Sequence, residues 1–167
     1  MLRGVRRIER QVDDLVESLK LNKEKPPKKC PTGFISIDNW PSCYMFSSFD
    51  MSWYEAKDYC AAFDSDLVSL GTTREHFIVT YFIKNNKEYN DAAGWWTSGS
   101  FVSKTKQWMW TAQLFLKPFS FIKWAPGEPD EEAAQCMVVA GKDDHLWNDE
   151  LCILRYNFVC EADARAL

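Results

Sequence analysis

The sequence lacks a long apolar run. No stretch approaches the roughly 18 consecutive apolar residues of a membrane-spanning helix, so none is predicted. The first residues, MLRGVRRIERQVDDLVE, are basic but lack the apolar stretch of a secretory signal. We therefore expect that any signal or anchor segment was removed or lies outside this sequence.

The chain also lacks the positive charge of a nucleic-acid-binding protein. Its formal net charge is −4, and five of its lysines cluster between residues 20 and 29, before Cys30. Binding to a phosphate backbone depends on a basic patch or stripe on the folded domain. Nucleic acid is therefore not an expected partner.

No Cys-x-x-Cys pair occurs, which argues against a zinc ribbon or a thioredoxin-like redox site. The six cysteines form an even, widely spaced set after residue 29, which favours three disulfides over six reduced thiols. Disulfides persist in oxidising compartments. We expect an extracellular location, either secreted or as the ectodomain of a membrane protein anchored elsewhere. The cysteines are Cys30, Cys43, Cys60, Cys136, Cys152 and Cys160.

Residues 1–22 carry a short heptad pattern with charged residues between the apolar positions. This amphipathic helix is either an oligomerising coiled-coil neck or a helix packed on its own domain, and the narrow apolar seam favours the neck. Residues 23–29 are rich in lysine and proline and predict an extended linker. The main domain is predicted over residues 30–162, with a tail at 163–167. The apolar positions are Met1, Val5, Ile8, Val12, Leu15 and Leu19.

Two capping boxes mark helix starts. The first begins at Ser52 with Glu55 at the third helical position, and its apolar stripe ends near Phe63. The second begins at Thr72 with Glu75, and its pattern ends at Asn-Asn. Short strands are predicted for FISIDNW and SCYMFSS as a hairpin, and for KQWMWT, CMVVAG and YNFVC. Two helices followed by several short strands indicate an α+β fold.

A series of motifs occurs in one order along most of the chain. They are Ser-Trp-x-x-Ala-x-x-x-Cys from Ser52 to Cys60, the strand 66–70, Trp96-Thr97-Ser98-Gly99, Trp108-x-Trp110, Trp124-x-x-Gly127-Glu128-Pro129, Trp147-Asn148-Asp149 and Phe158-Val159-Cys160-Glu161. Together they resemble a C-type lectin-like domain of the long form. The resemblance implies the disulfides Cys60–Cys160, Cys136–Cys152 and Cys30–Cys43. It also implies that most of the tryptophans belong to the core.

Four oxygen-bearing side chains lie in two short acidic segments, Glu128 and Asp130 in one and Asn148 and Asp149 in the other. Carboxylates and amide carbonyls are ligands that Ca²⁺ prefers. The resemblance implies that these residues match the family's principal calcium site, where the Glu-Pro bond is typically cis and two neighbouring sugar hydroxyls coordinate the ion. We therefore predict that the four residues bind both Ca²⁺ and carbohydrate.

The chain departs from the family pattern at two places. A further glutamate is usual where this chain has Ala134, and Glu131 or Glu132 could replace it. An auxiliary calcium site needs acidic residues in the preceding long loop, whereas residues 92–127 contain no Asp or Glu. One calcium ion at most is therefore predicted.

The sugar preference stays open in the sequence. In the family, a Glu-Pro-Asn triplet tends to accompany mannose-type binding and Gln-Pro-Asp galactose-type binding. Here the triplet is mixed: Asp130 favours galactose, but no aromatic residue lies between it and Gln135 to stack on that sugar. The alternative function is a calcium-independent module that binds protein or extracellular matrix.

Enzymatic function is not expected. Catalytic motifs are absent, and neither His76 nor His145 has a partner at catalytic or zinc-binding spacing. A set of adjacent calcium ligands must be ionised, which leaves no acid for glycoside hydrolysis.

Overall fold

The computed structural model of the 167-residue chain describes residues 28–112, 115–130 and 135–166. Two helices, α1 (Trp53–Ala61) and α2 (Thr73–Asn85), begin where the capping patterns predict. None of the helices in these ranges combines the length and apolar composition needed to cross a bilayer. The predicted helix over residues 1–22 and most of the predicted linker over 23–29 lie outside the described residues.

Both helix starts are stabilised by side chains that accept from otherwise unpaired backbone N–H groups. In α1 the Ser52 hydroxyl accepts from the Glu55 amide at 3.3 Å, and the Glu55 carboxylate accepts from the Ser52 amide at 2.9 Å. At α2 the Thr72 hydroxyl accepts from the Glu75 amide at 3.1 Å. Both predicted helices and their N-cap residues are confirmed, but only the first capping box is complete, because the Glu75 carboxylate accepts from the Thr72 hydroxyl at 3.0 Å and not from the Thr72 amide.

The strands are short, as predicted, and a single-turn 3₁₀ helix at Gly141–Asp143 separates two of them. In chain order they are β1 (Lys28–Lys29), β2 (Ile35–Ser36), β3 (Ser42–Phe46), β4 (Asp66–Leu67), β5 (Gly94–Val102), β6 (Gln107–Ala112), β7 (Phe115–Pro118), β8 (Cys136–Ala140), β9 (Leu146–Glu150), β10 (Asn157–Asp163) and β11 (Arg165–Ala166).

One sheet runs in the order β2-β3-β10-β5-β6-β7, with β4 against β10 and β8 against both β5 and β9. The hairpin predicted from FISIDNW and SCYMFSS is present as β2 and β3. The strand pairs of this sheet are antiparallel except one, because β10 runs parallel to β5. The compact unit that holds this sheet and both helices spans Cys30–Ala164, while β1 and β11 pair antiparallel in a unit of their own.

All three predicted disulfides are present. Cys60–Cys160 joins α1 to β10 across 100 residues of sequence. Cys136–Cys152 joins the start of β8 to the residues after β9, which are neighbours in the sheet. In the chain-entropy description, loops of these lengths correspond to about 4.7 and 3 kcal/mol of stabilisation.

The core is rich in tryptophan. Five indoles are buried, four of them with at most 1% of the residue exposed, and three more are half-buried against the core. This confirms that the family's tryptophan motifs belong to the core. The buried ones are Trp53, Trp95, Trp96, Trp110 and Trp147, and the half-buried ones are Trp40, Trp108 and Trp124.

Candidate functional site

The loop that carries Glu128 begins with a tight turn. Pro126 and Gly127 occupy the central positions, Gly127 has a φ of 90°, and the Glu128 amide donates to the Ala125 carbonyl at 3.0 Å. Proline followed by a residue with positive φ, closed by this hydrogen bond, is typical of a type II turn. The turn therefore follows from the local sequence Ala-Pro-Gly-Glu.

Backbone pairing holds this loop against β9. The Trp147 amide donates to the Lys123 carbonyl at 2.9 Å, and the Ala125 amide donates to the Trp147 carbonyl at 2.9 Å. These bonds form a parallel bridge between Trp124 and Trp147. The pairing brings Glu128 beside Asn148, 20 residues later in the chain.

Three of the four predicted ligands form a carboxylate cluster. Glu128, Asp130 and Asp149 each offer an oxygen, and these atoms all lie within 4.8 Å of one another. The Asp130 amide donates to Asp149 Oδ1 at 3.0 Å, and the Glu128–Pro129 peptide is cis, as the resemblance implies. Three converging carboxylates repel one another unless a proton or a cation compensates their charge.

Asn148, the fourth predicted ligand, adjoins the cluster through its amide. Its Nδ2 donates to Glu128 Oε1 at 3.3 Å and to Asp143 Oδ2 at 2.8 Å. Its Oδ1 and Glu128 Oε2 are buried and have no hydrogen-bond partner in the described part of the chain. Buried acceptors without a donor are costly in a folded protein, so both oxygens point to a missing electropositive partner.

Asp143 was missed by the sequence analysis. It ends the 3₁₀ turn between β8 and β9 and lies five residues before Asn148. The only signal was an acidic residue in the loop before Trp-Asn-Asp. Because acidic residues are common in exposed loops, that signal did not distinguish Asp143 from Asp144 beside it.

The surroundings raise the pKa of Glu128 to about 7. Burial is the largest cause, followed by the hydrogen bond that protonated Glu128 makes with Asp149 and by the charges of Asp130 and Asp149. A cation would reverse this balance, because it stabilises the ionised carboxylate.

Residues 49–162 match the model of a known protein family, the lectin C-type domain. The chain belongs to the C-type lectin domain family. The chain is 30% identical over 138 residues to perlucin of Haliotis laevigata, a match that covers 80% of this chain and 83% of perlucin. C-type lectin domains are carbohydrate-binding domains rather than enzymes.

Two solved structures illustrate the range of this fold. The mouse scavenger receptor C-type lectin carbohydrate-recognition domain has a TM-score of 0.68 and 24% identity, over 83% of this chain and 99% of that one. The Ca²⁺-independent C-type lectin SPL-2 from Saxidomus purpuratus has a TM-score of 0.70 and 24% identity, over 80% and 94%. At these identities the likeness concerns the fold, so the metal requirement of this lectin domain depends on its own side chains.

The chemistry of the donor set in this lectin domain fits Ca²⁺. Three carboxylates and an amide carbonyl are hard oxygen donors, and a calcium ion takes six to eight of them. Two of the candidate donors are the unpartnered oxygens of Glu128 and Asn148. Glu131 and Glu132 lie outside the described residues, as does Ala134, so the replacement of the missing glutamate stays a prediction.

The two histidines of the lectin domain are both buried. His76 Nδ1 accepts from Trp147 Nε1 at 3.2 Å, and burial, with lesser contributions from Lys123 and Lys84, lowers the pKa of His76 to about 4. Burial also lowers the pKa of His145. His76 thus supports the indole that precedes Asn148, which is a packing role.

Proposed function

We propose that this domain is a calcium-dependent lectin that binds neighbouring hydroxyls of terminal hexoses through Glu128, Asp130, Asn148 and Asp149. The observation that carries the proposal is the convergence of three carboxylates around buried, unpartnered oxygens of Glu128 and Asn148. That arrangement is costly when all three carboxylates are ionised with no cation beside them, and favourable with one. A single ion would compensate the three charges and give both buried oxygens a partner.

The protein side of sugar binding follows from hydrogen-bond capacity. Bound calcium would supply coordination positions for two sugar hydroxyls. The ionised carboxylates of Glu128 and Asp130 accept hydrogen bonds, so they suit hydroxyls that donate. Asn148 is the one side-chain donor among the four residues, and its Nδ2 already contacts Glu128 and Asp143. The pocket therefore presents mainly acceptors.

Galactose-type ligands are proposed over mannose-type ligands, because Asp130 provides an acceptor at the third position of the triplet. The preference is tested by measuring how much galactose and how much mannose is needed to displace a glycoprotein from the domain, at matched concentrations and with saturating calcium. Displacement by mannose at lower concentration than galactose would contradict it and leave the calcium site unaffected.

We also propose that the lectin acts outside the cell, because its three disulfides require an oxidising compartment. A site that touches two hydroxyls is expected to bind one sugar weakly. Linking several lectin domains in one oligomer raises the effective affinity by a factor of about 10²–10⁴. The predicted coiled-coil neck over residues 1–22 would provide such linkage.

The second candidate is a calcium-independent module that binds protein or matrix. It is favoured by Ala134, where a ligand of the family pattern is replaced by a methyl group. The two candidates differ in a direct way, because chelation removes binding only if the ion holds the ligand.

A glycan array with calcium and with chelator tests the proposal, using Asn148→Ala and Asp149→Ala beside the wild-type protein. We expect wild-type binding that chelator abolishes and either substitution removes. Asp144→Ala is the matched control, because Asp144 is exposed and pairs with Lys84 at 2.6 Å instead of joining the cluster. Sugar binding that persists in chelator, or in both site variants, would refute the assignment.

A further inference from the structure

Asp143 makes the shorter of the two contacts to the Asn148 amide. The Nδ2···Oδ2 distance is 2.8 Å, against 3.3 Å to Glu128. Asp143 is not one of the three carboxylates whose oxygens converge. Asp143 therefore bonds to a predicted ligand, Asn148, but does not itself belong to the carboxylate cluster.

We propose that Asp143 is a positioning residue, which fixes the Asn148 side chain so that Nδ2 is held by carboxylates and Oδ1 remains free to coordinate the ion. This inference rests on the proposed function for the identity of the cation. The hydrogen-bond geometry on which it depends involves only residues of this chain.

An amide group has a donor end and an acceptor end, and its neighbours decide which way it points. In the observed orientation Nδ2 meets two carboxylates. The flipped orientation would set the amide oxygen against acceptor oxygens of Asp143 and Glu128, which have no hydrogen to offer when ionised. Because Asn148 is only 2% exposed, water cannot readily compensate the loss.

Asp143 is better suited than Glu128 to maintain this orientation. Glu128 is itself a proposed ligand, so an ion would draw on its lone pairs. Asp143 lies outside the carboxylate group and can accept from Nδ2 in both the ion-free and ion-bound states. The orientation of Asn148 is then set before the ion arrives, which reduces the ordering that binding must impose.

The backbone places Asp143 for this role. After the 3₁₀ turn, Asp144 and His145 both adopt positive φ, at 54° and 63°, and the His145 amide donates to the Ala140 carbonyl at 2.9 Å. These residues turn the chain from β8 back into β9. The reversal brings Asp143 alongside Asn148.

The experiment compares Asp143→Ala, Asp143→Asn and Asp144→Ala with the wild-type domain. Calcium affinity is measured by calorimetry. The side-chain amide resonances of Asn148, assigned by comparison with Asn148→Ala, are measured by ¹⁵N NMR in chelator. Asparagine at position 143 retains an oxygen acceptor but removes the charge, whereas Asp144→Ala removes an equal charge from the neighbouring residue.

Loss of a group that orients a metal ligand typically weakens metal binding by about 10- to 100-fold. We expect a loss in that range for Asp143→Ala, substantial rescue in Asp143→Asn, and a change below about twofold for Asp144→Ala, since exposed charges interact weakly. In chelator, Asp143→Ala should shift the Asn148 amide resonances and increase their exchange with water, while Asp143→Asn should keep that exchange slow.

Equal losses in Asp143→Ala and Asp143→Asn would overturn the inference, because the charge rather than the hydrogen bond would then matter. Unchanged amide exchange in Asp143→Ala would also overturn it. Absence of calcium binding by the wild-type protein would refute the proposed function instead. In that case the resonances in chelator still decide whether Asp143 orients Asn148.

Discussion

The raised pKa of Glu128 predicts how calcium stabilisation depends on pH. In the ion-free fold this pKa is about 7, and burial is the main cause. The unfolded value is about 4.3. The folded state therefore holds a proton that the unfolded state has released between these two values, so the ion-free fold loses stability as pH rises across that window. Calcium must displace this proton, and its binding strengthens as pH rises.

The magnitude follows from mass action. Extracellular calcium modules bind with dissociation constants of roughly 10⁻⁴–10⁻³ M. At about 10 mM calcium and a pH near 8, such a site stabilises the domain by about 1.4–2.7 kcal/mol. At a pH near 5.5, protonation of Glu128 alone weakens the apparent affinity by about 30-fold, which reduces the stabilisation to about 0.2–0.8 kcal/mol.

Thermal melts with calcium and with chelator at the two pH values measure this difference, at about 2–8 °C of melting temperature for each kcal/mol. Glu128→Gln is the matched variant, since it keeps the shape of the side chain and cannot ionise. We expect it to lose the calcium shift at both pH values and to be more stable than wild type in chelator at the higher pH. A calcium shift of equal size at both pH values in the wild-type protein would refute the reasoning.

Three further predictions concern the supports of the site. Burial lowers the pKa of His76 to about 4, so the ion-free wild-type protein should lose about 3 kcal/mol of stability as pH falls from 6.5 to 4. His76→Gln should not show this loss; an equal fall in the free energy of unfolding with pH in variant and wild type would contradict the prediction. Cys136→Ala combined with Cys152→Ala should cost about 3 kcal/mol in chemical denaturation and weaken calcium binding, while Cys60–Cys160 still forms; unchanged calcium affinity would show that the bridge does not support the site. A Cβ at position 127 would meet no atom within 4 Å, so only the positive φ opposes a side chain there. Gly127→Ala should therefore destabilise the domain by about 1–2 kcal/mol, measured in urea; a neutral effect would mean that the turn relaxes.

Short-range features were predictable because their causes lie within a few residues. The capped starts of α1 and α2 follow from Ser52 with Glu55 and from Thr72 with Glu75, which satisfy backbone donors three residues away. An even cysteine set without paired metal spacing predicted three disulfides. The partners of those cysteines, and the four candidate ligands, came from the order of motifs along the chain, which the family match supports.

What only the tertiary structure decided involves contacts between distant segments. The parallel pairing of β10 with β5 is invisible to local pattern, because the residue pattern of a strand does not show in which direction its neighbour runs. The carboxylates converge only because residues around Trp124 pair with Trp147. Asp143 could not be separated from Asp144 in the sequence, yet one carboxylate holds the Asn148 amide and the other pairs with Lys84. Residue type determined which oxygens this protein can offer an ion. The folded backbone decided which of them meet, since a hydrogen bond needs its atoms about 3 Å apart and exposed charges are screened within about 10 Å.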